Sequence, residues 1–248
     1  MTIVTLAQRP DLAVATFAIP YPPGSPRFME GNLAGSLARG PRVARRWPHL
    51  VVALLDGDRP IARGVMVAYR SDRDDRAALP DLGWDQTATW AAEDALDDIA
   101  PDTACALEIA VHPERHGHGD STVVLNAMRE AVGAAGLETL VIPVRPPDKA
   151  TKPMQPMHEY AGQTRADGLP ADRWLRTHVR AGGRIETIAS CSMTVQAPLA
   201  QWRHWTGLPF DSDGPVAVEG ALAPVLTSTA HNIGVYVEAN VWITHTPA

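Results

Sequence analysis

One stretch restricts this chain more than any other. An apolar run, Cys105-Ala-Leu-Glu-Ile-Ala-Val111, passes into His-Pro-Glu-Arg-His-Gly-His-Gly-Asp at 112–120 and then into Ser-Thr-Val-Val-Leu-Asn-Ala-Met-Arg-Glu-Ala-Val at 121–132. The first run reads as a strand. In the second, Val124, Leu125, Met128 and Val132 recur at helical spacing, and Gly136 stands where a helix C-terminus needs a left-handed residue. Leu137-Glu-Thr-Leu-Val-Ile-Pro-Val144 follows as a second strand. Strand, tight loop, helix, strand in so short a span is a βαβ unit, with parallel strands and a right-handed crossover.

The loop inside that unit carries the chemistry. Gly117 and Gly119 leave backbone N–H groups uncovered where a strand gives way to a helix. The helix start adds its own unpaired N–H groups and about half a positive charge. Such a place suits a pyrophosphate, because the glycines let the anion approach the main chain closely.

With these residues in hand, the segment resembles the core motif of the GNAT superfamily of acetyl-CoA-dependent N-acetyltransferases. Val111, Pro113, His116, Gly117, His118, Gly119 and Ser121 fall in register with that motif without a gap. The apolar strand before it, the amphipathic helix after it and the following strand are also in the family's order. Later, Trp174-Leu-Arg-Thr-His-Val-Arg-Ala-Gly182 matches a helix that in the family ends in tyrosine, three residues and glycine, with His178 at the tyrosine position. The likeness covers about residues 49–190.

The resemblance implies an α+β, three-layer fold: a mixed central sheet with splayed parallel strands flanked by helices, here with a β-rich C-terminal extension. The expected division is a GNAT-like domain over 1–195 and an extension over 196–248 packed on the same body. It also implies acetyl-CoA as co-substrate, direct attack of an acceptor amine on the thioester, and no metal. Ile109 and Val111 would meet the pantetheine arm through their main chain, while His116, Gly117, His118, Gly119, Asp120, Ser121 and Thr122 would hold the diphosphate. Three departures stand out: His116 replaces an Arg or Gln, Asp120 adds a negative charge, and Ser121 replaces Gly or Ala.

Catalytic candidates follow from the same resemblance. Glu108 is the nearest carboxylate on the first strand and would act as base; alternation sets it with Ala110 and His112, opposite Leu107, Ile109 and Val111. Its other reading is a structural ion pair. His178 would be the acid that protonates the leaving thiolate, with packing or capping as the alternative. Tyr160, in the proline-rich stretch 145–170, is a rival acid if that stretch folds over the cleft. The function expected is N-acylation of a small molecule. The alternatives are a GNAT-fold protein with reduced catalysis that serves as a CoA-responsive or assembly module, and transfer of a longer acyl group or to an alcohol.

Composition narrows the partners. A formal charge of −6 over 248 residues offers no basic excess for nucleic acid. No stretch approaches a membrane span, and no basic leader with an apolar core precedes the first strand-like run, so a cytoplasmic protein is expected. A homodimer is compatible with the sequence. Cys105 and Cys191 sit in apolar runs and read as buried free thiols. His116-x-His118 lacks the clustered carboxylate or cysteine of a metal site.

Elsewhere, 12–19 reads as a strand ended by Pro20, Pro22 and Pro23, and 28–37 as a short helix. Residues 49–56 and 60–70 read as a hairpin turning at Gly57-Asp58. A helix is expected from about Asp85 to before Pro101, with Trp90 and Leu96 inward. Residues 145–170 read as a long functional or partly disordered loop. A helix over 171–181, a strand over 184–195, a short helix near Trp202 and Trp205, and a β-rich tail complete the reading.

Overall fold

A computed structural model describes residues 1–21, 25–76 and 78–248. Its centre is one mixed sheet in the order β1-β2-β3-β4-β5-β9-β8-β7, with β6 pairing with β9. The strands are β1 (Thr2–Thr5), β2 (Val51–Asp56), β3 (Arg59–Tyr69), β4 (Thr103–Val111), β5 (Thr139–Val144), β6 (Arg184–Pro198), β7 (Gly214–Val216), β8 (Val225–Ser228) and β9 (Ile233–His245). The helices are α1 (Ala13–Phe17), α2 (Gly40–Arg46), α3 (Gly83–Leu96), α4 (Asp120–Ala134), α5 (Met157–Ala161), α6 (Arg173–Arg180) and α7 (Leu199–Thr206).

The hairpin forms as expected, with Val51 opposite Val65 and Gly57 in the left-handed region at φ 60°. The βαβ unit also forms: β4 and β5 are parallel, joined by α4, and Gly136 turns out of that helix at φ 72°. The α4 stripe, Val124, Leu125, Met128 and Val132, is wholly buried against Val52, Met66, Ala106 and Ile142. Each such side chain contributes about 1.5–3 kcal/mol by leaving water. Gly64 on β3 lets α4 lie this close, since a Cβ there would collide with Met128 and Val124. The opposite face carries a second apolar layer, with Val65, Val67, Tyr69, Trp90, Cys105 and Trp242. A third cluster, around Phe28, Trp202, Phe210 and Tyr236, fills the C-terminal part, and Trp202 donates its indole N–H to the Gly234 carbonyl at 2.9 Å.

Several expectations need correction. Residues 12–19 are not a strand: a 3₁₀ turn at Pro10–Leu12 leads into α1, and burial of Leu12 and Thr16 with exposure of Val14 follows a helical period. Pro22 and Pro23 lie outside the described residues. The edge strand is instead Thr2–Thr5, whose four β-branched residues favour a strand but are too few to show a period. The stretch 28–37 is two separate 3₁₀ turns, Arg27–Gly31 and Ala34–Ser36. Asn32 between them is extended, and its side-chain oxygen accepts from the Gly35 N–H. Leu96 points to solvent, because α3 ends there and Asp98 turns away at φ 52°. Cys191 is half-buried, not buried.

The segment 145–170 is more ordered than its prolines suggest. It holds a 3₁₀ turn at Pro147–Thr151, α5, and a bridge between Thr164 and Pro170. Lys149 is buried, and its ammonium donates to the carbonyls of Lys152 (2.8 Å) and Leu222 (2.7 Å). The last strand does more than extend the body. β9 has β6 along one edge and β5, then β8, along the other, so residues after 195 return to the middle of the sheet, and the 195/196 boundary falls inside β6.

Candidate functional site

β4 and β5 stay together only over Thr103–Cys105 against Thr139–Val141. β4 then continues through Ala106–Val111 still held by β3, while Ile142–Val144 of β5 remain held by β9. A gap therefore opens between two parallel strands toward their C-terminal ends. Beyond that open end on the β4 side lies the glycine-bearing loop, which returns into α4. The expected splay is present.

In the loop, a 3₁₀ turn at Pro113–Arg115 is followed by Gly117 at φ 82° and Gly119 at φ 85°. A side chain is strained at either φ, and nothing lies within 4 Å of where a Cβ would sit. Among the described residues, no intramolecular acceptor takes the N–H groups of Gly117, Gly119, Asp120 or Ser121. The N–H of Thr122 is already bonded to the Gly119 carbonyl at 2.9 Å, so Thr122 does not belong with these donors. The His118 N–H contacts the Arg115 carbonyl at 3.4 Å, and His116 Nε2 lies 3.0 Å from the Val111 carbonyl oxygen. Asp120 is paired within the loop: its buried carboxylate receives Arg115 Nε at 2.9 Å and Nη2 at 3.3 Å. The unfavourable charge is thereby matched within the loop.

A bulge changes the faces of β4. Met66 pairs with Ala106 but Val65 pairs with Glu108, so Leu107 is the extra residue. Leu107 packs with the α3-side layer, while Ile109 and Val111 pack with the α4-side layer. Simple alternation had grouped all three. The Leu107 carbonyl accepts the Trp84 indole N–H at 3.0 Å, which brings the first turn of α3 over the unpaired part of β4.

The catalytic candidates are not brought together. Glu108 does reach the α3 side of the open end, but its carboxylate accepts from Arg63 Nε and from the Tyr21 hydroxyl. Arg63 is itself buried, donates to the carbonyls of Thr16 (3.2 Å) and Ile19 (2.8 Å), and lies over the rings of Phe17 and Tyr21. This is the ion-pair reading of Glu108. His112 sits at the surface, with Nε2 3.1 Å from Arg59 Nη2.

His178 is 1% exposed, with Nδ1 3.1 Å from His245 Nε2. His245 pairs with Leu140, at the closed end of the β4–β5 contact. Burial first, then His245, pushes His178 down to about 3; burial, then Arg129, pushes His245 down to about 4. The pair is a neutral packing element of the α6–β9 contact, away from the gap. Tyr160 is buried, and its hydroxyl donates to Asp172 at 2.8 Å. Asp172 in turn caps α6 by accepting from the N–H groups of Trp174 (2.8 Å) and Leu175 (2.9 Å).

Side chains with no local sequence signal meet at the open end. Arg145 directly follows β5 and donates Nε to both oxygens of the fully buried Glu238, at 3.1 and 3.0 Å. The Tyr236 hydroxyl (2.6 Å) and Asn240 Nδ2 (3.0 Å) complete that carboxylate. The hint was alternation in β9: Tyr236, Glu238, Asn240 and Trp242 share one face. Asp85, in the first turn of α3, accepts from Asn32 Nδ2 (2.8 and 3.1 Å) and from the Thr194 N–H (2.9 Å). Burial raises its carboxyl to about 6; the Asn32 and Thr194 bonds oppose the rise, and Glu238 adds to it. Among the described residues, no group of three or more His, Cys, Asp and Glu side chains is placed to share a metal ion, and no helix is long and apolar enough to cross a membrane.

No protein-family model matches the chain. In sequence it is similar to the arginine N-acetyltransferase avaD of Aspergillus versicolor, 32% identical over 187 residues, which are 67% of this chain. The chain spans 64% of that relative's length. In structure it is similar to the GphF GNAT-like decarboxylase in complex with isobutyryl-CoA, with a TM-score of 0.56 at 16% identity over the whole of both chains. It is also similar to the loading GNATL domain of CurA from Lyngbya majuscula, with a TM-score of 0.54 at 14% identity over 92% of this chain and 96% of that one. These two likenesses show the fold. The chain therefore has the mixed α/β fold of these GNAT-like structures, with the segment from Val111 to Ser121 at the loop that opens α4.

Proposed function

We propose that the protein is an acyl-CoA-dependent N-acyltransferase that moves an acetyl group to the amine of a small molecule by direct attack. The observation that carries this reading is the joint placement of two features. β4 and β5 part after three residue pairs, and at the end of β4 a cluster of N–H groups, without intramolecular partners among the described residues, opens α4. The N–H groups of Gly117, Gly119, Asp120 and Ser121, with the positive end of α4, would hold the diphosphate. Main-chain groups of Ile109 and Val111, on the unpaired edge of β4, would hold the pantetheine arm in the gap. The sequence likeness to an arginine N-acetyltransferase supports amine acylation, and makes L-arginine the first acceptor to try. The reading places the protein in the cytoplasm, where Cys105 and Cys191 stay reduced.

Calorimetry with acetyl-CoA, followed by thiol release in the presence of L-arginine and a wider set of amines, tests this. The expectation is saturable binding and amine-dependent release of CoA. Binding without thiol release from any amine would favour the non-catalytic CoA-binding alternative. No binding at millimolar acetyl-CoA would remove the reading.

A further inference from the structure

The first turn of α3 roofs the gap between β4 and β5. Trp84 reaches the Leu107 carbonyl on the unpaired part of β4, and its own N–H donates to Ser192 Oγ on β6 at 2.9 Å. Asp85, the next residue, is tied to Thr194 of β6, which pairs with Val237 of β9. This turn thus spans from β4 to β6 above the open end of the sheet, on the side away from α4. Glu108 is held by Arg63, and Glu238 by Arg145, Tyr236 and Asn240. Among the described residues, Asp85 differs in having only neutral donors, Asn32 and the Thr194 N–H.

Resting on the acyl-transfer reading above, we propose that Asp85 is the proton acceptor for the incoming amine, entering from the α3 side of the gap. The acceptor's ammonium gives one proton to the Asp85 carboxylate. The freed amine nitrogen forms a C–N bond to the thioester carbonyl carbon, and the C–S bond breaks. The second nitrogen proton goes to the departing thiolate, leaving amide and free CoA, and Asp85 returns its proton to water. A carboxyl lifted to about 6 by burial is a stronger base than an ordinary aspartate yet still ionised at neutral pH. Among the described residues, Glu238 from β9 is the charged side chain that acts on it, and the Arg145 ion pair holds Glu238 in place.

The test is kcat/KM from pH 5 to 9, by thiol release, with acetyl-CoA and L-arginine, L-lysine, tyramine or spermidine. For an amine the wild type turns over, Asp85→Asn should lower kcat/KM at least about 100-fold. It should also erase the fall in activity on the acid side of pH 6, with acetyl-CoA affinity unchanged by calorimetry. Asn32→Ala, which removes a donor to the ionised carboxylate, should move that acid limb to higher pH while leaving activity measurable. A merely structural Asp85 would lower the melting temperature and leave the limb in place, as would an Asn32→Ala limb that does not move; either overturns the assignment alone. A wild type inactive with every amine overturns the acyl-transfer reading and this assignment with it.

Discussion

Arg115 and Asp120 close the loop between β4 and α4 with two charge-assisted contacts, Nε to Oδ2 at 2.9 Å and Nη2 to Oδ1 at 3.3 Å. The pair lets an acidic residue open α4 with its charge matched within the loop. Asp120 is 4% exposed, so it depends on that partner.

Removing the partner should therefore weaken anion binding. Arg115→Ala leaves the buried Asp120 carboxylate without its cation at the start of α4, and should lower acetyl-CoA affinity about tenfold or more. Adding Asp120→Asn to it should restore most of the loss. Calorimetry on the two variants checks this, and an unrestored double variant would mean that Arg115 meets the ligand itself.

Gly119 is needed for its conformation. At φ 85° a side chain costs about 1–2 kcal/mol, so Gly119→Ala should lower stability by that order in urea unfolding. Gly119→Glu should in addition weaken acetyl-CoA binding more than about tenfold, through added charge and bulk at the helix start.

The His178–His245 pair makes stability depend on pH. Both imidazoles are held below their ordinary value of 6.5, to about 3 and about 4, while in the unfolded chain they titrate normally. The unfolded state then binds more protons below pH 6.5, so their contribution is fully present above that value and is lost as pH falls toward 4. Each pH unit in that window removes up to about 1.4 kcal/mol per site. Urea midpoints of the wild type should fall steeply between pH 6.5 and 4, and those of His178→Leu less so. Equal slopes would contradict it.

Arg145→Met should be among the most destabilising single changes. It leaves the fully buried Glu238 with only neutral donors, and breaking one side of such a pair costs about 3–5 kcal/mol. Chemical denaturation would show it. Arg145→Met with Glu238→Gln should recover part of the loss.

What the sequence disclosed follows from how local each feature is. The hairpin at Gly57-Asp58, the α4 stripe and the glycines of the loop are written in contiguous residues, and the structure has them. Alternation misled at Leu107, because a bulge inserts a residue that no pattern announces. Residues 12–19 form an apolar run that reads as a strand, yet Leu12 and Thr16 bury at helical spacing. The site's polar groups come from five places far apart in the chain: Tyr21, Arg63, Asp85, Arg145 and Glu238. Only the fold brings them together. His178 matched a motif position, yet packing against His245 gives it a different environment.

The proposed acetyl-CoA site depends on main-chain donors at the start of α4 gripping the diphosphate. Amide chemical shifts recorded while acetyl-CoA is titrated into isotope-labelled protein test it most directly. The Gly117, Gly119, Asp120 and Ser121 amides should shift together, saturably, and Gly119→Glu should abolish the response. Unchanged amides at these four positions with acetyl-CoA bound elsewhere would contradict it.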